Sequence, residues 1–292
     1  MTDKLAKRGM TNKKRDALCG YLFFLPWIVG FLVFTLYPAI FSVRMSFNEV
    51  TVKPEGILLN WQGTEYYDYA LNVDTVFKLQ LGNALLFICC SLPVVLVFSL
   101  IIALLLNKDF KGRTFFRIIF FIPVIIMSGP VVSNLISGHS LDFSEYLPSV
   151  YAFLQAMPSF ISKPSVFILD ELVLILWFSG VPILIFMVGL QRISPDIYEA
   201  ADIDGAGGWE KFWKITLPHL TPMILLSAIY TVVETSNYFE LDINKKITGS
   251  MFDTTKLYSF SAAMSWIYFC AVIAVLLVVF LISVWLGRRS QR

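Results

Sequence analysis

Charge is what this sequence has least of. Of its 292 residues only 15% are Asp, Glu, Lys or Arg, while 57% are hydrophobic. That leaves too little polar material to cover a water-soluble globule, which excludes that class and makes the bilayer the expected solvent. The formal net charge of +2 is too small for a nucleic-acid binder, and the basic residues fall in short intervals between apolar runs. Four cysteines, Cys19, Cys89, Cys90 and Cys270, show no C-x-x-C spacing. They exclude a disulfide framework or zinc site and read as small buried hydrophobes. The two histidines, His139 and His219, stand alone, and Gly138-His139-Ser140-Leu141 lacks the second glycine of a nucleophile elbow. No G-x-x-x-x-G-K-[ST] loop is present to cradle phosphates, and Gly205, Gly207 and Gly208 do not belong to a βαβ dinucleotide loop. The chain is therefore expected to be no enzyme, with no metal and no cofactor of its own.

Long apolar runs are what it has instead. A hydrocarbon core of about 30 Å needs about 20 helical residues, and six segments are that long: roughly 18–44, 79–106, 115–137, 166–190, 218–240 and 257–286. The expected fold is all-α, a polytopic membrane protein of six transmembrane helices over 18–286, with an N-terminal segment 1–17 and a tail 287–292. The first apolar run follows a basic stretch but is too long for a signal peptide and has no small-residue cleavage pattern, so it reads as a membrane helix.

Orientation follows from counting cations on alternate sides. Sixteen of the 23 Lys and Arg fall in the N-terminal segment, the 107–117 loop, the 191–217 segment and the tail. Both termini and the 191–217 segment are thus expected in the cytoplasm of a bacterial or archaeal cell, with the chain crossing the plasma membrane several times. The outer loop 45–78, with Trp61, Tyr66, Tyr67 and Tyr69, reads as a connector with aromatic interface anchors.

One acidic, glycine-punctuated stretch interrupts the apolar pattern: EAADIDGAGG, Glu199 to Gly208. Ser194-Pro195-Asp196 predicts a helix start, with a side-chain oxygen as cap, proline at the first helical position and a carboxylate at the positive end of the dipole. A helix from Pro195 to about Asp204 should then stop at Gly205. Ile197, Ala200, Ala201 and Asp204 share a stripe, and the paired alanines let another backbone come close, with Glu199 beside them. Trp209 to Ile215 predicts a second helix at the interface, and Leu217-Pro218 a turn back into the bilayer. Five carboxylates against three cations in 192–217 suit a basic protein partner better than anionic lipid.

Glu199-Ala200-Ala201, Asp204-Gly205-Ala206, Phe212, Ile215, Leu217-Pro218 and Pro222, with Pro195 and Tyr198, resemble the EAA loop of permease subunits of binding-protein-dependent ABC importers. The stretches YLFFLP at 21–26, FTLYP at 34–38, KGRTFFR at 111–117 and SAAMSW at 261–266 are similar to the carbohydrate permeases related to the maltose, lactose and glycerol-3-phosphate subunits. The resemblance implies a type I ABC importer permease fold working by alternating access. It further implies a coupling helix formed by Glu199, Ala200, Ala201, Asp204 and Gly205 that docks on a cytosolic ATPase dimer binding ATP and Mg. A second permease subunit, an extracytoplasmic solute-binding protein, and a sugar or oligosaccharide as cargo complete the implied set. The chain departs from the family pattern at 133–165 and at 240–256, where Glu240-Leu241-Asp242-Ile243-Asn244-Lys245-Lys246 replaces a glycine-rich stretch.

On the fifth apolar run Ser227, Thr231, Glu234, Thr235 and Tyr238 share one helical face. Glu234 lies about 24 Å beyond Pro218 at 1.5 Å per residue, at membrane depth. Two readings are open for this stripe: lining for a hydroxyl-rich solute, or hydrogen bonds to neighbouring helices. On the fourth run Trp177 and Phe178 offer an aromatic face suited to the apolar faces of sugar rings, or to simple packing, beside a Ser179-Gly180-Val181-Pro182 stretch able to bend the helix. Importers of another polar solute (a phosphorylated polyol or a peptide), a membrane-embedded hydrolase and a secondary transporter are the rival functions.

Overall fold

The computed structural model describes residues 12–54, 56–108, 111–112, 115, 118–119, 147–252 and 257–290. Five helices among them are long and apolar enough to cross a membrane: Gly20–Ser46, Thr75–Asn107, Leu172–Gln191, Gly208–Ser236 and Tyr258–Trp285. Each matches an expected span to within a few residues at most ends. Larger differences occur at the fourth, whose first five residues, 166–170, belong to a separate helix, and at the fifth, which begins ten residues early. The remaining expected span, 115–137, lies outside the described residues except for 115, 118 and 119.

The chain divides into two compact units, Met1–Val73 with Gly249–Trp266, and Asp74–Thr248 with Ile267–Arg292. In the first, α1 (Asn12–Phe31) passes through a five-residue π-turn, Leu32–Leu36, into α2 (Tyr37–Ser46). Pro38 explains the wider turn. Its ring would strike the carbonyl four residues back in a regular helix and it has no N–H to offer, so the preceding Tyr37 N–H reaches back five residues to the Leu32 carbonyl. The outer loop is not only a connector: β1 (Asn48–Lys53) and β2 (Gly56–Trp61) form an antiparallel hairpin, Asn48 opposite Trp61 and Lys53 opposite Gly56. Pro54 and Gly56, at φ +137°, flank the reversal, a conformation only glycine adopts without strain. The hairpin is anchored by Val50, 2% exposed, whose N–H donates to Ser259 Oγ at 2.9 Å. Phe47 stacks on Trp61, and the Ser46 and Tyr67 hydroxyls meet at 2.7 Å. α3 (Glu65–Asp68) and a second π-turn, Tyr69–Val73, complete the loop.

The second unit is built on three mutually packed helices, α4 (Thr75–Asn107), α7 (Leu172–Gln191) and α10 (Leu217–Ser236). α5 (Pro148–Gln155) and α6 (Ser159–Asp170) precede α7. α8 (Pro195–Ile203), α9 (Gly208–Lys211) and a third π-turn, Phe212–Thr216, lead into α10. α11 (Asp242–Met251) and α12 (Leu257–Ser290) follow. α4, at roughly 50 Å for 33 residues, exceeds the hydrocarbon thickness and therefore reaches beyond it or tilts.

Two apolar clusters hold the three helices. Ala103, Leu106, Ile183, Phe186, Met187, Leu190 and Leu220 form one; Val95, Ile175, Phe178 and Tyr238 form the other. Between helices, close approach depends on small residues, as membrane packing generally does. A Cβ on Gly189 would stand 2.6 Å from Met223 Cγ and 2.7 Å from Leu220 Cδ2. Buried Ser99 donates across to the Ser179 carbonyl at 3.3 Å. The cysteines differ from expectation: Cys89, Cys90 and Cys270 are free and exposed, on faces of α4 and α12 that the described helices do not cover.

The departure at 240–256 has a structural purpose. Lys246 of α11 bonds Asp74, 172 residues away, with Nζ to Oδ1 at 3.0 Å and to Oδ2 at 2.8 Å. Asp74 in turn caps α4, accepting from the Phe77 N–H at 2.9 Å. Asn244 Nδ2 donates to the carbonyls of Ser236 and Tyr238, at 3.0 and 2.7 Å, and Tyr268 Oη donates to Ser236 at 2.9 Å. These donors satisfy carbonyls that the end of α10 leaves free.

Candidate coupling and translocation site

The EAA segment folds as a short helix, α8, closed by a tight glycine turn. Gly205 has φ +76°. Its N–H donates to the Asp202 carbonyl at 3.1 Å, and the Ala206 N–H reaches back to Ala201 at 2.9 Å. These are the two bonds of a Schellman stop, which requires a left-handed residue at Gly205. The helix begins at Pro195 as expected, but Ser194 does not cap it. Its Oγ–H donates to Asp196 Oδ2 at 3.1 Å, and its oxygen accepts no N–H of the first turn.

Glu199, Ala200, Asp204 and Gly205 are exposed and Ala201 is half-buried. The five carboxylates of the segment fall into distinct states. Asp202 pairs with Lys211 at 2.5 Å, Glu210 pairs with Lys214 at 3.2 Å, and Asp196 takes the Ser194 hydroxyl. Glu199 and Asp204 have no partner among the described residues. The opposite face of α8 is tied inward: half-buried Tyr198 places its Oη 2.8 Å from Thr216 Oγ1.

The expected interface helix and the turn at Leu217-Pro218 are not found as such. Residues 208–236 run as one helical rod, α9, a π-turn and α10, and the Leu217 N–H bonds the Phe212 carbonyl. Pro218 widens the helix here without breaking it, because a π-turn relieves the ring–carbonyl clash and needs no N–H from proline. Trp209 and Trp213 project from the start of this rod, 74% and 49% exposed, with ring centroids 5.6 Å apart.

On α10 the polar stripe divides. Thr231 and Thr235 are fully buried, and their hydroxyls donate to the Ser227 and Thr231 carbonyls of their own helix at 2.8 and 2.7 Å. Glu234 lies at the stripe's edge and is half-buried, one turn from half-buried Tyr230 and within electrostatic reach of its phenol. Tyr238, 7% exposed, joins Trp177 and Phe178 in one aromatic cluster. Trp177 stacks on Phe178 at 5.5 Å, and each meets Tyr238 edge-on, at 5.6 and 5.8 Å. Two buried hydroxyl oxygens, Tyr238 Oη and Ser227 Oγ, have no hydrogen-bond partner among the described residues. The stretch 179–182 lies within one continuous α7.

Outside the spans two carboxyls are displaced from their ordinary behaviour. Burial pushes Asp74 up, but the Lys246 ammonium and the Phe77 N–H outweigh it and hold its carboxyl below the ordinary value of 3.8. Burial, with Asp170 beside it, raises Glu171 above 4.5. Asp74, Asn244, Lys246 and Tyr268 escaped the sequence reading, which had only the unusual composition of 240–246 as a signal.

The chain is similar to known proteins. Residues 81–292 match the family described as "Binding-protein-dependent transport system inner membrane component". The probable ABC transporter permease YesP of Bacillus subtilis is 29% identical over 299 residues, covering 95% of this chain and 94% of YesP. The arabinooligosaccharides transport system permease AraP of the same organism is 34% identical over 227 residues, covering 75% of this chain and 69% of AraP. The lactose transport system permease LacF of Rhizobium radiobacter is 29% identical over 231 residues, covering 76% and 74%. A chain of a bacterial alginate ABC transporter, crystallised with a pentasaccharide-bound periplasmic protein, superimposes with a TM-score of 0.65 at 20% identity, covering 94% of this chain and 96% of that one. A π-widened membrane rod, a Schellman-closed acidic helix before it and a family match over most of the length lead to one conclusion: the chain belongs to the binding-protein-dependent ABC importer permeases and is a multi-pass membrane protein of that fold.

Proposed function

We propose that this chain is one transmembrane half of an ATP-driven importer of a sugar or oligosaccharide. α8 docks on a separate ATPase dimer that binds ATP and Mg, a second permease chain forms the other half of the pore, and an extracytoplasmic binding protein delivers the cargo. Both termini and α8 face the cytoplasm. The observation that carries the reading is the pair Glu199 and Asp204: exposed, without partners among the described residues, and fixed on a helix whose other carboxylates are already engaged. The carbohydrate class is supported by relatives named for arabinooligosaccharides and lactose. Within the pathway, Glu234 and the Trp177–Phe178–Tyr238 cluster, with Thr231 and Thr235 behind them, offer hydroxyl partners and apolar ring faces together.

The test is reconstitution of the four kinds of subunit in proteoliposomes and measurement of uptake across a panel of oligosaccharides. Glu199→Ala is expected to leave the chain inserted and to reduce uptake tenfold or more; wild-type uptake in that variant would remove the coupling assignment. Glu234→Gln should change the relative uptake of different sugars while leaving ATPase association intact. Unaltered selectivity with reduced expression would assign Glu234 to packing instead.

A further inference from the structure

The contact between Tyr198 and Thr216 is the least expected in the cytoplasmic segment, because it joins α8 to the π-turn below α10. Thr216 is 5% exposed. Its Oγ1 lies 3.3 Å from the Lys211 carbonyl, to which it donates, and 2.8 Å from Tyr198 Oη. A hydroxyl has one proton, so when Thr216 gives its own to Lys211 the proton of the upper bond comes from Tyr198. The chain of donors runs Tyr198 to Thr216 to Lys211. A second tie closes the loop, since the Lys211 side chain pairs with Asp202, one helical turn beyond Tyr198 on α8. Residue 211 is thus bound to α8 twice, through its carbonyl and its ammonium.

The π-turn gives these ties something to act on. Phe212–Thr216 is the wide, irregular section of an otherwise regular rod, imposed by Pro218. A helix is most easily bent or rotated where its ladder is interrupted. Beyond it α10 carries Glu234, Thr231 and Thr235. Before it in the chain, α8 is held at two points and closed by Gly205, with few residues of slack.

We propose that Tyr198 is a positioning residue for transport: its hydroxyl, through Thr216, pins α8 to the π-turn, so that displacement of α8 is transmitted to α10 instead of being absorbed in the loop between them. This rests on the coupling reading of α8 and adds the part of the linkage inside the chain. The ion pair Asp202–Lys211 is the weaker tie, because Asp202 is 62% exposed and water competes for it.

The experiment uses the complete importer in proteoliposomes and reads solute imported per ATP hydrolysed, alongside ATPase retention on the purified complex. Tyr198→Phe is expected to keep assembly and ATP turnover while the ratio falls three- to tenfold. Thr216→Val should give a similar fall, the double variant no further fall, and Thr216→Ser, which keeps the hydroxyl, a ratio near wild type. Four results would each overturn the pin: a wild-type ratio in Tyr198→Phe, additive losses in the double variant, failure of Thr216→Ser, or loss of the ATPase from Tyr198→Phe, which would make Tyr198 a docking contact. Glu199→Ala separates this from the reading beneath it. Normal transport there removes the docking role of α8, whereas damaged transport there with a normal ratio in Tyr198→Phe removes only the pin.

Discussion

Two membrane helices in this chain are widened in the same way and held differently. At Leu32–Leu36 and at Phe212–Thr216 a π-turn precedes a proline by two residues, Pro38 and Pro218, and the residue before the proline bonds the carbonyl five back. The first turn has no buried residue; Phe34 within it and Tyr37 just after it are 81% and 68% exposed. The second has Thr216 buried and bonded to Tyr198 and to Lys211. Proline accounts for the local geometry in both. What separates a passive irregularity from a working joint is whether side chains from another element take hold of it. The remaining π-turn, Tyr69–Val73, shows that proline is not required: no proline closely follows it, and the next residue, Asp74, is the cap of α4.

The largest contrast expected is between the two threonines of the proline-linked turns. Thr216→Val should lower solute imported per ATP several-fold, and Thr35→Val, at an exposed position, should leave it unchanged. Equal effects, measured in proteoliposomes, would erase the distinction between the joints.

Two glycines near the same joints come next. Gly189→Ala forces a methyl against Leu220 and Met223 at the start of α10 and should cost about 1–3 kcal/mol of stability. Gly30→Ala, before the first joint, meets nothing within 4 Å and should be neutral or gain up to about 1 kcal/mol from helix propensity. Thermal unfolding in detergent reads both.

A smaller effect is expected where the Tyr69–Val73 turn meets α4. Because the folded pKa of Asp74 is depressed, its contribution is fully present above its unfolded value, close to 3.8, and is lost as pH falls below that and through the folded pKa. Asp74→Asn should lower the melting temperature at neutral pH and flatten its dependence on acid. Glu171 has the opposite sign. Its folded pKa is raised, so the penalty for ionising it appears as pH rises above about 4.5, and Glu171→Gln should raise the neutral-pH melting temperature by a degree or two, about 0.5 kcal/mol. A fall in that variant would show that the carboxylate has a partner worth more than its desolvation.

What the sequence disclosed about these regions depended on range. Gly205 was legible because a left-handed helix stop is local chemistry, and the membrane spans because hydropathy is additive along the chain. The joint at Pro218 was misread as a turn: proline signals that a regular helix cannot continue, but not whether the backbone breaks or widens. The cap expected at Ser194 is absent, its hydroxyl turning to Asp196 two residues on, a side-chain rotamer that sequence pattern does not set. The hairpin went unseen because the loop was read for its aromatics, although Pro54 and Gly56 marked a reversal. The Asp74–Lys246 tie joins residues 172 positions apart, and nothing in either neighbourhood names the other. On the stripe of α10, periodicity put Glu234 with Thr231 and Thr235 on one face. The edge of that face, where Glu234 is half-buried and the threonines are not exposed at all, is set by α4 and α7.

The internal pairing of Asp202 and Glu210 with Lys211 and Lys214 has a consequence for how the complex is handled. A partner approaching α8 meets Asp196, Glu199 and Asp204 as uncompensated charge, not all five carboxylates of the segment. Screening falls most heavily on exposed charges, over a Debye length of about 10 Å at 0.1 M salt. Assembly should therefore tolerate ionic strength better than the segment's composition implies, and Lys211→Met, which frees Asp202, should make the purified complex more sensitive to salt.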